Sequence, residues 1–225
     1  MFKQIFNIWK RDGLTNQALD LTETMFRLVA ENFDIATEEL IGELDVNRAK
    51  IYSTDQKINE CEKNVRRKVL EHLAINPKQD LNNSLILITV VKDLERMGDY
   101  VKNIVELAYT HPKKLPGDKY SKELLIIRNK MSFILRDSLD VFKDGNILKA
   151  KQYYNFYREV TEKIDTMIHH LLDEKKLKVR KAVIYALYSR YLKRIAAHLA
   201  NILTTVINPF HLVGYGIEDK NEEID

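Results

Sequence analysis

Apolar residues recur every three or four positions through six stretches of the chain, the spacing of amphipathic helices. The first carries Leu21, Met25, Leu28, Val29, Phe33, Ala36 and Leu40, and the second Ile51, Ile58, Cys61, Val65, Val69 and Leu73. The third, from Leu81 to about Tyr109, is apolar on more of its circumference, which predicts the most buried helix of its half. Asp80 stands where an N-cap belongs, and Pro112 and Pro116 close the stretch. The fourth carries Leu124, Ile127, Met131, Ile134, Leu135 and Leu139 and closes near Gly145. The fifth carries Leu148, Tyr153, Tyr157, Val160, Ile164, Ile168 and Leu171, and the sixth Val183, Leu187, Tyr191, Ile195, Leu199, Ile202 and Val206, stopped by Pro209. Each is about 25 residues, or roughly 38 Å of helix. Short breaks between such helices make neighbours antiparallel.

The six stretches read as three repeated once. Glu95–Ile104 falls on Lys193–Ile202 at an offset of 98 residues, with Arg96, Asn103 and Ile104 recurring as Arg194, Asn201 and Ile202. His72-Leu73 falls on His170-Leu171 at the same offset. The expected fold is all-α: two tandem three-helix bundles, 14–111 and 119–209, hinged at His111–Lys119 where two prolines and a glycine cluster. A segment over 1–13 precedes them, with Phe2, Ile5, Phe6 and Trp9 on one helical face. It reads either as a helix packing on its own bundle or as a docking surface. A tail over 210–225, ending in acidic residues, is expected to be loose.

Composition narrows the function. Seven glycines and four prolines are too few for the turns of an all-β protein. A net charge of +3 predicts no strong field for nucleic acid. With Cys61 as the one cysteine, no intrachain disulfide is possible, and a reducing compartment, the cytoplasm, is expected. The longest uncharged apolar run, Ser84–Val91, is far short of the roughly 20 residues that span a bilayer. Lys10-Arg11-Asp12 follow the apolar residues of the N-terminus instead of preceding them, unlike a signal peptide. A soluble protein with at most surface contact to a membrane is expected.

One constellation could carry chemistry. Glu95 and Asp99 project from one face of the third helix about 6 Å apart, and such like charges repel unless a cation compensates. Either Lys92, Arg96 and Lys102 supply that charge on a wet face, or the carboxylates hold a metal through hard oxygen donors. Gly98 leans toward the second reading, since a mid-helix glycine costs up to about 1 kcal/mol and permits close approach. Asp55, Asn59, Glu62 and Arg66 form a polar stripe on the second helix, so Asp55 and Glu62 would face Glu95 and Asp99 if the helices pack together. In the second half Lys193 and Ala197 replace the two acids, which argues against a symmetric second site. Asp165 and His169 are an i,i+4 pair of a common surface kind, and His198 reads as a satisfied core or interface histidine. Cys61 reads as inert packing. The basic runs Arg66–Lys68 and Lys175–Lys181 lack interleaved aromatics and read as solvated helix ends. No phosphate loop, His-Glu-x-x-His or Gly-x-Ser-x-Gly motif occurs, so no enzyme is expected.

Asp55-x-x-Ile58-Asn59-x-x-Glu62 followed by Asp93-Leu94-Glu95-Arg96-Met97-Gly98-Asp99-Tyr100 and Asn103-Ile104 resembles the PhoU family of phosphate-uptake regulators. The resemblance covers nearly the whole chain. It implies two three-helix bundles side by side and a cytoplasmic adaptor linking phosphate transporter components to a sensor kinase, with a homodimer possible. It also implies iron or zinc bound through a Glu/Asp-x-x-x-Asp motif. Glu95-x-x-x-Asp99 matches that motif, with Asp55 and Glu62 as supports, and Lys193-x-x-x-Ala197 departs from it, leaving one site in the first half. Phe2, Phe6 and Trp9 are the candidate interaction residues. The alternatives are a ferritin-type di-iron enzyme, whose Glu-x-x-His motifs are missing here, and a purely structural helical module.

Overall fold

The computed structural model describes residues 13–41, 48–76, 80–111, 115 and 117–217. Six long helices account for nearly all of them: α1 (Gly13–Ile41), α2 (Arg48–Ile75), α3 (Leu81–Thr110), α4 (Lys119–Asp144), α5 (Ile147–Asp173) and α6 (Val179–Ile207). Phe2, Phe6 and Trp9 lie outside the described residues.

Each helix buries most of the stripe that its periodicity marks; the exceptions are Leu148 of α5 and Val183 of α6, which stand 77% and 49% exposed near the starts of their helices, and on α6 Tyr185 and Tyr188 are buried instead. Met25 and Phe33 of α1, Ile58 and Val65 of α2, and Leu94, Met97 and Ile104 of α3 are fully buried together in the first bundle. Leu124 and Met131 of α4, Val160 and Ile164 of α5, and Leu192, Ile195 and Ile202 of α6 do the same in the second. Each such side chain contributes about 1.5–3 kcal/mol over its exposed state. Helix ends follow local chemistry. Asp118 Oδ1 accepts from Ser121 N at 3.1 Å to start α4, and Asn146 Oδ1 accepts from Lys149 N at 3.1 Å to start α5. Gly145, at φ 60°, supplies the left-handed residue that ends α4.

Asp80 departs from expectation. It occupies the N-cap position of α3 but is left-handed at φ 59°, and its side chain caps no backbone N–H. Its carboxylate turns instead toward His72 of α2, with Oδ2 3.8 Å from Nε2. The tail expected to be loose from residue 210 begins as a fastened turn. Phe210–Leu212 is one turn of 3-10 helix, and Gly214 N donates to Thr204 Oγ1 at 2.8 Å.

The helices of each half pack on one another, and the halves meet along two lines: α3 against α6, and α1 against α4. Third helix meets third helix and first meets first, while α2 and α5 lie outside. Position in this arrangement, rather than composition alone, decides burial. α1 is therefore covered as thoroughly as α3, against the expectation that α3 would be the most buried, because both face the opposite bundle.

Candidate functional site

The four predicted carboxylates line the groove between α2 and α3 in two pairs, Asp55 with Asp99 and Glu62 with Glu95. Asp55 and Glu62 are 6% and 8% exposed, because the polar stripe of α2 turns against α3 rather than into solvent. Two lysines of α3 straddle the groove. Lys102 Nζ lies 2.9 Å from Asp55 Oδ2 and 3.0 Å from Asp99 Oδ1. Lys92 Nζ lies 2.7 Å from Glu95 Oε2 and 3.8 Å from Glu62 Oε1. Two arginines complete the set: Arg66 Nη2 is 2.7 Å from Glu62, and Arg96 reaches Asp99 at 3.3 Å and Glu95 at 3.7 Å. Four acids and four bases form a neutral ladder joining the helices. Burial alone would lower the Lys102 pKa, but hydrogen bonds to Asp55 and Asp99 and their negative charge outweigh it and raise the pKa above its ordinary value.

The donor chemistry suits a hard cation, but the geometry is taken. Each lysine ammonium sits between one acid of α2 and one of α3. Among the described residues no three His, Cys, Asp or Glu side chains converge on one point. As arranged here the ladder does not fit a resident iron or zinc ion, which would have to displace Lys102 and Lys92. Gly98 does not demand close approach either. A Cβ at that position would meet Ile58 Cδ1 at 3.5 Å and Asp55 Oδ1 at 3.6 Å, ordinary contacts.

The second half has no such ladder. At the repeat offset, Asp55, Glu62, Glu95 and Asp99 become Tyr153, Val160, Lys193 and Ala197. Lys193 pairs with Asp165 at 2.6 Å, which turns the Asp165–His169 pair to structural use. Cys61 is half-buried, and burial raises its thiol pKa, so little thiolate is present.

The repeat is written into the seam between bundles. His198 Nδ1 is 2.8 Å from Asp93 Oδ1, and Asn201 Nδ2 donates to the same oxygen at 3.3 Å. His198 is thus an interface histidine, as its position suggested. The equivalents of Asp93 and His198 are Tyr191 and Tyr100, which also meet across the seam with ring centroids 6.4 Å apart. Tyr100 and His198, equivalent to each other, stack at 5.8 Å. A pseudo-two-fold axis between these two rings accounts for all three contacts. On the other line, Arg128 Nε of α4 donates to Thr37 Oγ1 of α1 at 2.8 Å and its Nη2 reaches Glu38 Oε1 at 3.0 Å. Arg136 Nε donates to Asp34 Oδ2 at 2.9 Å. Sequence reasoning missed this latch. Its signal was Asp34 directly after Phe33, a charge beside the apolar stripe with no basic residue of its own helix three or four positions away.

The profile of the PhoU domain matches this chain twice, over residues 22–108 and 125–206. A protein of Clostridium acetobutylicum named a phosphate-specific transport system accessory protein PhoU homolog is 28% identical over 179 residues, 75% of this chain and 80% of that protein. PhoU homolog 1 of Thermotoga maritima, described in the same words, is 26% identical over 86% of this chain and 85% of its own length. The crystal structure of PhoU from Pseudomonas aeruginosa superposes with a TM-score of 0.77 at 21% identity, covering 86% of this chain and 95% of that one. Both halves carry the domain, and the helices pack as the repeat requires: the chain belongs to the PhoU family.

Proposed function

We propose that this protein is a non-enzymatic regulator of phosphate uptake and phosphate-starvation signalling, working by protein–protein contact on the cytoplasmic side of the membrane. The observation that carries the reading is the double match to the PhoU domain, together with relatives named as accessory proteins of phosphate-specific transport. None of the described helices is long and apolar enough to cross a membrane, so the proposed partners are components of the phosphate transporter, a sensor kinase, or both, with a second copy of the chain as a further candidate. Deleting the gene tests this. Phosphate uptake should become insensitive to phosphate supply, or starvation genes should be expressed in replete medium. Uptake and expression that follow phosphate as in the parent strain would remove the basis of the proposal.

We further propose that Lys92 and Lys102 supply the positive charge that iron or zinc would otherwise bring to Glu95, Asp99, Asp55 and Glu62. Elemental analysis of the purified protein separates the two. The lysine reading expects less than a tenth of an equivalent of metal, as an order of magnitude, unchanged in Asp99→Ala. Near-stoichiometric iron or zinc that Asp99→Ala removes would establish the metal instead.

A further inference from the structure

The end of the molecule where α5 turns into α6 carries a surface that the adaptor reading does not use. Residues 172–183 hold five cations, Lys175, Lys176, Lys178, Arg180 and Lys181, against the two acids Asp173 and Glu174. That surplus of three equals the surplus of the entire chain, so all the rest of the molecule is balanced. Lys175, Lys176 and Lys178 are exposed and form no ion pair among the described residues. Arg180 points along the same end, donating to the Thr110 carbonyl at the end of α3 at 3.2 Å.

Aliphatic side chains stand among these charges. Leu172 and Val179 are each 79% exposed, and Val183 is exposed one turn further along α6. Their neighbours Leu171 and Ile184 are buried, so the bundle core is complete without them. Tyr109, half-exposed at the end of α3, shares this end of the molecule and lies under the Arg48 guanidinium at 5.1 Å. Apolar side chains flanked by lysines at this helix–helix turn match a surface that is anionic outside and apolar just beneath. Nucleic acid would use the cations but not the aliphatics, and it favours stacking aromatics that this run lacks.

We propose that the α5–α6 tip binds the surface of anionic phospholipid bilayers, with Lys175, Lys176, Lys178 and Arg180 meeting headgroup phosphates and Leu172 and Val179 entering the headgroup–acyl boundary. Each cation close to such a surface strengthens binding about fivefold, and each buried aliphatic side chain adds a part that salt does not screen. The inference stands apart from the regulatory reading, since vesicles contain no transporter.

Co-sedimentation of the whole protein with vesicles tests it. Vesicles of phosphatidylcholine with about a third phosphatidylglycerol should bind the protein, and vesicles of phosphatidylcholine alone should bind it at least tenfold less, as expected for several cations acting together. Replacing Lys175→Gln, Lys176→Gln and Lys178→Gln together should weaken binding about a hundredfold. Because all three are exposed, helicity by circular dichroism should stay unchanged. Leu172→Ser with Val179→Ser should leave binding at low salt but abolish what persists at high salt. Equal binding to both vesicles, no binding to either, or an unaffected triple variant overturns the proposal. So does a single-stranded oligonucleotide bound as tightly as the anionic vesicles.

Discussion

Lys102 is held by two carboxylates from two helices, and losing it would strand one of them. Lys102→Met keeps most of the side-chain volume but leaves Asp55 buried with only Asn59 nearby, at 3.4 Å. Breaking such a pair from one side destabilises by about 3 kcal/mol, seen as a lower urea midpoint. Adding Asp55→Asn should recover most of it, since the stranded charge is then gone. The sign of the pH dependence follows from the raised Lys102 pKa. Its stabilisation is complete below the unfolded value of about 10.4 and is lost as pH climbs through the higher folded value. On the alkaline side the gap between wild type and Lys102→Met should therefore close only as pH climbs past that folded value. Gly98 gives a prediction of opposite sign. A methyl fits at ordinary contact distance, so Gly98→Ala should stabilise by up to about 1 kcal/mol through helix propensity. A destabilised Gly98→Ala would mean that α2 and α3 approach more closely than this.

At the level of elements, the caps show how one side chain can serve two helices. Asp118 starts α4 through Ser121 N and also accepts from Tyr185 Oη of α6 at 2.9 and 2.8 Å. Burial, then that hydrogen bond, pushes the Tyr185 pKa well up. Asp118→Ala removes both interactions and takes the carboxylate acceptor from a buried phenol. Thermal unfolding should register a loss of about 2 kcal/mol, while Asp118→Asn, which keeps an acceptor for each, should lose less than half of that. Asp80 shows the converse. It has the residue type and place of a cap, but the left-handed backbone that brings the chain from α2 into α3 points its carboxylate at His72. The local rule failed because a left-handed residue at this position does not aim its side chain at the first backbone N–H groups of the helix.

For the whole molecule the decisive feature is the seam between the halves. The apolar core is continuous through both bundles, and charged pairs are set into the seam: Arg128 and Arg136 with Asp34 and Glu38, and Asp93 with His198 and Asn201. Arg128→Met should destabilise by about 3 kcal/mol, because Glu38 and Thr37 lose their partner across the seam. Combined with His198→Ala, it should also uncouple the halves, so that one unfolding transition in urea becomes two. A single steep transition in the double variant would show that apolar packing along α3 and α6 suffices to couple them.

The periodicity by itself determined the number of helices, their approximate ends and most of the core residues, because a stripe repeating every 3.6 residues can be buried in few ways, and the repeat at an offset of 98 residues marked the two halves. The pattern Glu95-x-x-x-Asp99 with Asp55 and Glu62 also located the face on which charges would gather. Which cations come within reach of that face was decided only in three dimensions. Whether an ammonium or a metal answers four carboxylates depends on where Lys92 and Lys102 point once α2 lies against α3, and those lysines are far from Asp55 and Glu62 along the chain. The same holds for Arg128 and Asp34, separated by some ninety residues and brought within reach only when first helix packs on first helix. Local patterns mark the face that each helix buries, because that face is written in one stretch of chain, while the neighbours decide how fully it is covered. Ion pairs across helices are decided by registry and crossing geometry, which no single stretch of sequence contains.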